Sequence, residues 1–181
     1  MPTEPPPSDV LKVLLPAQQI ATRIAELGQQ ISSDYARGPL VLLCVLKGSF
    51  VFAADLARSI HGDTRVEFLG VRSYGDSTRS SGVVEITHDL TAPVTDADVL
   101  IVEDIVDTGL TAHYLIRQIE SRGPRSVRLC ALLDKPSRRQ SPVAVQYAGF
   151  TLNGDEFVVG YGLDFAQRYR NLPDICVLER T

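Results

Sequence analysis

Three acids and two threonines fall within the run Glu103-Asp104-Ile105-Val106-Asp107-Thr108-Gly109-Leu110-Thr111. Carboxylate oxygens suit a hard cation such as Mg2+, which keeps several waters and shares its coordination with phosphate oxygens. The Thr-Gly-x-Thr turn, opening a helical pattern, offers hydroxyls and unused backbone N–H groups of the kind that bind phosphate. Cation ligands beside an anion nest suit a phosphorylated sugar held with a metal. Two lysines stand in similar places. Lys47 in Leu46-Lys47-Gly48-Ser49 and Lys135 in Asp134-Lys135-Pro136 each follow an apolar run, and open α/β sheets gather their ligands at the carboxyl ends of their strands. Asp164 closes the tight loop Gly160-Tyr161-Gly162-Leu163-Asp164, with Arg168 and Arg170 beyond it.

The elements that must position these groups alternate between strand and helix. Val99 to Val102, Leu40 to Leu46 and Val127 to Leu133 are continuous apolar runs, the pattern of strands buried on both faces of a parallel sheet. Ile20, Ile24, Leu27 and Ile31 recur at helical spacing up to about Arg37, Phe52, Leu56 and Ile60 do so in the next helix, and Ala112, Leu115 and Ile119 in a third. Val66 to Val71 and Val83 to Thr87 flank the polar stretch Arg72 to Gly82 and predict a long hairpin. A loop of that length is often a lid. Short strands are expected at Val143 to Tyr147, Phe157 to Val159 and Ile175 to Leu178.

The 181 residues carry a net charge of −4, which argues against nucleic acid or an anionic membrane as partner. Cys44, Cys130 and Cys176 lie singly in apolar segments and read as buried thiols in a reducing compartment, giving a cytoplasmic location as the expectation. No apolar run approaches the roughly 18 residues of a membrane span. His61, His88 and His113 lack ligand spacing and read as surface residues, and so does the pair Arg138-Arg139. Met1 to Ser8 holds four prolines and no apolar core, so residues 1–9 are expected as a disordered lead-in rather than a signal peptide. Neither the P-loop nor the dinucleotide glycine pattern is present.

Val99 to Thr111 resembles the 5-phosphoribosyl 1-pyrophosphate (PRPP) motif of type I phosphoribosyltransferases, and from about Val10 to Glu179 the chain is similar to the hypoxanthine-guanine branch of that family. Leu46-Lys47-Gly48 resembles its pyrophosphate loop, Ser73-Tyr74 its flexible lid, Asp134-Lys135 its purine-contacting lysine, and Phe157-Val158-Val159-Gly160-Tyr161 with Asp164 its base and metal hood. The resemblance implies an α/β fold with a central, mostly parallel twisted sheet flanked by helices, a small hood of short strands and a flexible lid loop. Residues 10–181 would form one domain, with a core of about 36–142 and a hood from 10–35 and 143–181.

The same resemblance implies roles. The amides from Asp107 through Thr108, Gly109 and Leu110 to Thr111, with both threonine hydroxyls, would cradle the 5′-phosphate. Glu103 and Asp104 would sit beneath the ribose and, with Asp164, serve Mg2+. Lys47, Gly48 and Arg170 would hold pyrophosphate, and the Leu46–Lys47 peptide is often cis in the family. Phe157 would stack on the purine, Lys135 would donate to its 6-oxo group, the Val158 backbone would read the neighbouring edge, and Asp107 would handle the N7 proton. The implied reaction joins hypoxanthine or guanine to PRPP in a homodimer or homotetramer. Leu110 stands where vertebrate members carry lysine, as in the bacterial branch. A xanthine-preferring enzyme, a nucleotide-sensing RNA-binding regulator and an inactive PRPP-binding protein on the same scaffold are the alternatives.

Overall fold

Residues 10–36, 38–74 and 83–179 are described in a computed structural model. Their elements, in chain order, are β1 (Val10–Leu15), α1 (Ala17–Asp34), β2 (Leu40–Leu46), α2 (Phe50–Ser59), β3 (Thr64–Tyr74), β4 (Val83–His88), β5 (Asp98–Val106), α3 (Leu110–Glu120), β6 (Ser126–Asp134), β7 (Tyr147–Thr151), β8 (Val158–Val159) and β9 (Ile175–Glu179), with a 3₁₀ turn at Pro136–Arg138. Six strands make the main sheet in the order β4-β3-β2-β5-β6-β7. All its pairs are parallel except β3 with β4, which form the expected hairpin.

The apolar runs are continuous because the sheet is covered on both faces. Leu42, Cys44, Leu100, Val102 and Leu132 pack with Ile20, Ile24, Leu27 and Ile31 of α1 and with Phe52 and Leu56 of α2. The alternate residues Val41, Leu43, Val45, Val99 and Ile101 pack with Ala112, Leu115 and Ile119 of α3. That division follows from the two-residue period of a strand. Phe52 is fully buried in the first layer, so Phe52→Ala is expected to lower stability by about 3–5 kcal/mol, read as a shift in the urea midpoint.

Strand order reverses between β2 and β5, since the chain builds outward through β3 on one side and through β6 on the other. At such a reversal the turns leaving the two strands diverge and open a crevice at their carboxyl ends. Lys47-Gly48 leaves β2 there, and Asp107 to Gly109 leaves β5 there.

The remaining strands form a separate antiparallel sheet in the order β1-β9-β8. Two elements expected in this hood pack instead on the main sheet. Strand β7 pairs with β6, and Arg23 of α1 donates from Nε to Gly149 O at 2.9 Å and from Nη2 to Ala148 O at 2.9 Å. The strand expected at Val143 to Tyr147 begins only at Tyr147. Gln146 bonds Leu129 with its own amide and side-chain oxygen, 3.0 and 2.7 Å, while Val143 and Val145 pack on the α3 layer without pairing. All three cysteines are buried. The lead-in at 1–9 and the lid loop at 75–82 lie outside the described residues; the backbones of Ser73 and Tyr74 end β3, opposite Val84 and Val83.

Candidate active site

Adjacent acids at the end of β5 face different neighbours. Glu103, only 6% exposed, lines a small cavity of about 100 Å³ with Asp107, Thr108, Gly109 and Thr111. Asp104 turns to the other side, towards β2: a Cβ placed on Gly48 would stand 1.6 Å from Asp104 Oδ2, and one on Gly162 would stand 2.2 Å from Gly48 O. Glycine at these two positions lets the β2–α2 loop, the acid and the hood loop close on one another. The Leu46–Lys47 peptide is cis.

Burial governs the charges of both acids. It pushes Glu103 well above the usual carboxylate range, and the neighbouring Asp104 charge pushes it further. Asp104 rises to about 6, again through burial, partly offset by the Ile105 amide, its own amide and Arg170, while Asp164 raises it further. Arg170 holds Asp164 through Nη2 at 2.6 Å and donates from Nη1 to Gly162 O at 2.7 Å. The Gln167 amide donates to the second Asp164 oxygen at 2.8 Å. The hood thus delivers one cation and one acid to the edge of Asp104.

At the β5–α3 turn, Gly109 has φ of 81° and α3 begins without a side-chain cap. Left-handed backbone favours glycine, and the uncapped first turn leaves helix N–H groups for an anion. The Thr108 hydroxyl accepts from the Leu110 amide at 3.4 Å. Asp107 stands at the mouth of this turn, its side chain 38% exposed, with Arg138 Nε 2.8 Å from Oδ1. Arg138 also reaches Asp155 at 3.3 Å.

The third group converges from β6 and β8. Lys135 is 4% exposed and donates to Glu156 O at 2.6 Å, which leaves two of its three ammonium hydrogens for another acceptor. The next residue, Phe157, is 52% exposed and meets Phe165 edge-on, with ring centroids 5.8 Å apart. Val158 is buried in register with Val177. A buried ammonium beside an uncovered aromatic ring suits a flat polar heterocycle.

The sequence-predicted residues therefore gather in three neighbouring places rather than one. Glu103, Asp107, Thr108, Gly109 and Thr111 share the cavity, with Leu110 opening α3; Gly48, Asp104, Asp164 and Arg170 meet between β2 and the hood; Lys135, Phe157 and Val158 flank β8. Glu103, Asp104 and Asp164 do not converge into one cage: among the described residues no three His, Cys, Asp or Glu side chains are grouped to hold an ion. Of the two arginines read as solvated surface, Arg138 is exposed, although it meets Asp107, and Arg139 is corrected: it is 15% exposed and pairs with Asp134. Their place at the end of β6, beside Lys135, was the signal available.

Residues 11–166 match the model of the phosphoribosyl transferase domain. The chain is 51% identical to the hypoxanthine-guanine phosphoribosyltransferase of Mycobacterium tuberculosis, over 96% of this chain and 88% of that protein. It is 44% identical to the enzyme of the same name from Bacillus subtilis, over 94% of each. A crystal structure of a hypoxanthine phosphoribosyltransferase from Staphylococcus aureus superposes with a TM-score of 0.89 at 42% identity, covering 93% of this chain and 91% of that one.

Proposed function

Because the chain belongs to the phosphoribosyl transferase family, we propose that the turn after β5 seats a 5-phosphoribosyl group, with pyrophosphate leaving towards β2 and a purine entering from β8. The protein is a hypoxanthine-guanine phosphoribosyltransferase of the type I fold, acting in purine salvage. It transfers the 5-phosphoribosyl group from PRPP to N9 of hypoxanthine or guanine, giving IMP or GMP and pyrophosphate. The observation that carries the site assignment is the convergence of an anion nest, a cationic loop and a lysine with an exposed phenylalanine at one end of the sheet, where its strand order reverses.

In this reading the amides of Asp107 to Thr111 and the hydroxyls of Thr108 and Thr111 hold the 5′-phosphate. Lys47, the Gly48 amide and Arg170 hold pyrophosphate. As its bond to C1 of the ribose breaks, positive charge grows on the ring, and Glu103 and Asp104 stabilise it from below. N9 of the purine bonds to C1 while Asp107 takes the proton at N7. Phe157 stacks on the base, the Val158 backbone reads its edge, and Lys135 donates to the 6-oxo group; adenine offers a donor there instead and is disfavoured. Closure of the lid at Ser73 and Tyr74 excludes water from the ring cation.

The hard oxygens Mg2+ prefers stand in two places, Glu103 at the β5–α3 cavity and Asp104 with Asp164 on the Gly48 side; burial disfavours the bare charges of Glu103 and Asp104, and PRPP and water would supply the rest of the coordination of an ion at either place. When bound, the ion would neutralise charge on the departing pyrophosphate. The enzyme is proposed to work in the cytoplasm as a homodimer or homotetramer on small-molecule substrates, without nucleic acid or membrane; among the described residues no helix is long and apolar enough to cross a membrane.

An assay with PRPP and Mg2+ against hypoxanthine, guanine, xanthine, adenine and uracil tests the substrate assignment. Nucleotide is expected from the first two, with slow, disfavoured turnover of adenine and none of uracil; product from uracil or adenine alone would overturn it. Gly48→Ala is expected to lower kcat/KM by about 100-fold, because its methyl group displaces Asp104 by the order of an ångström. Unchanged steady-state kinetics would remove that contact from the catalytic geometry.

A further inference from the structure

We infer that Arg139 is a positioning residue for PRPP: it holds the backbone of the β5–α3 turn so that successive amides face the 5′-phosphate. Arg139 Nη1 donates to Val106 O at 3.0 Å and to Asp107 O at 2.8 Å. The next carbonyl, Thr108 O, accepts from the amides of Gln140 and Ser141 at 2.8 and 3.0 Å. Val106 O also accepts from the Lys135 amide at 2.9 Å, so Arg139 reinforces a carbonyl that β6 already orients, while Asp107 O and Thr108 O are drawn to the segment Arg139 to Ser141.

A trans peptide is planar, with its N–H opposed to its C=O. Fixing the carbonyls of 107 and 108 towards Arg139 to Ser141 therefore turns the N–H groups of Thr108 and Gly109 the other way. Successive N–H groups aimed to one side make an anion-binding concavity. The side of the turn facing the segment is filled: a Cβ on Gly109 would stand 2.5 Å from Ser141 O and 2.8 Å from Arg139 Cδ. The nest is shaped from behind, by a side chain that touches no substrate.

The guanidinium is itself fixed. Its other arm pairs with Asp134, and the two side chains are only 15% and 16% exposed. Arginine suits this task because its planar fork presents several donors in a fixed geometry, whereas lysine offers a single nitrogen. Asp134 ends β6 and precedes Lys135, so the same pair joins the phosphate turn to the strand that carries the purine-contacting lysine.

The inference rests on the proposed seat for the 5′-phosphate, and kinetics of Arg139→Gln and Arg139→Lys separate the two. In Arg139→Gln the KM for PRPP is expected to rise roughly tenfold or more, in line with loss of charge-assisted hydrogen bonds, while the KM for guanine stays near its original value. Arg139→Lys keeps the charge beside Asp134 and is expected to lie between the two, with circular dichroism and thermal midpoint close to the wild type. An unchanged KM for PRPP in folded Arg139→Lys and Arg139→Gln overturns the inference while leaving the seat intact. A parallel rise of both KM values overturns it too, since it would mark a general structural role. Wild-type protein that turns over PRPP but binds the phosphate of GMP without shifting the amide resonances of Asp107 to Thr111 overturns the seat itself.

Discussion

Asp107→Asn is expected to reduce kcat by about 10²–10⁴-fold, the range for loss of a positioned general base, with little change in the KM for PRPP. The amide is nearly isosteric with the carboxylate and leaves the backbone turn untouched. In the proposed mechanism it removes the acceptor for the N7 proton as N9 bonds to the sugar. Arg138, 2.8 Å from Asp107 Oδ1, loses its charged partner, but that pair is partly exposed and contributes little to stability. The thermal midpoint should therefore stay close to the wild type. A kcat near the wild-type value at saturating PRPP and hypoxanthine would take the proton-handling role away from Asp107.

Lys135→Ala is expected to lower kcat/KM for hypoxanthine and guanine by roughly 10–100-fold, as befits a hydrogen bond from a charged donor, and to narrow the gap to adenine. Lys135 is buried and already anchored on Glu156 O at 2.6 Å, so its ammonium is pre-aimed and would lose little freedom on meeting the proposed base. With it gone, the donor proposed to discriminate a 6-oxo acceptor from a 6-amino group is lost. Steady-state rates with the three purines read the effect. Equal losses for all three would place Lys135 in the framework and not in base recognition.

The central strands were legible because burial on both faces leaves no polar alternation, and Leu40 to Val45 is indeed buried throughout. The helices were legible through their apolar stripes, each of which meets the sheet. The strand ends could be read as ligand-bearing because acids, a glycine turn and lysines interrupt apolar runs there. Val143, Val145 and Tyr147 show where such reading stops. Their alternation is the same whether a segment pairs with β6 or merely packs beside α3, and only the Gln146 bonds to Leu129 decide it. Arg139 is a different case. Its effect depends on the direction of carbonyls 33 and 32 positions earlier in the chain, which no local pattern encodes. Glu103 and Asp104, adjacent in sequence, face different neighbours, so a pair read as one cation site is divided between the cavity at the β5–α3 turn and the Gly48 side.

The central claim is that the β5–α3 turn is the seat of the ribose phosphate. A crystal structure of the enzyme with GMP tests it most directly. The phosphate oxygens are predicted within hydrogen-bond distance of amides between Asp107 and Thr111, with the guanine ring over Phe157 and its 6-oxo group at Lys135 Nζ. A GMP phosphate bound instead at Lys47 or outside the turn, with the Asp107 to Thr111 amides uncontacted, would contradict the account.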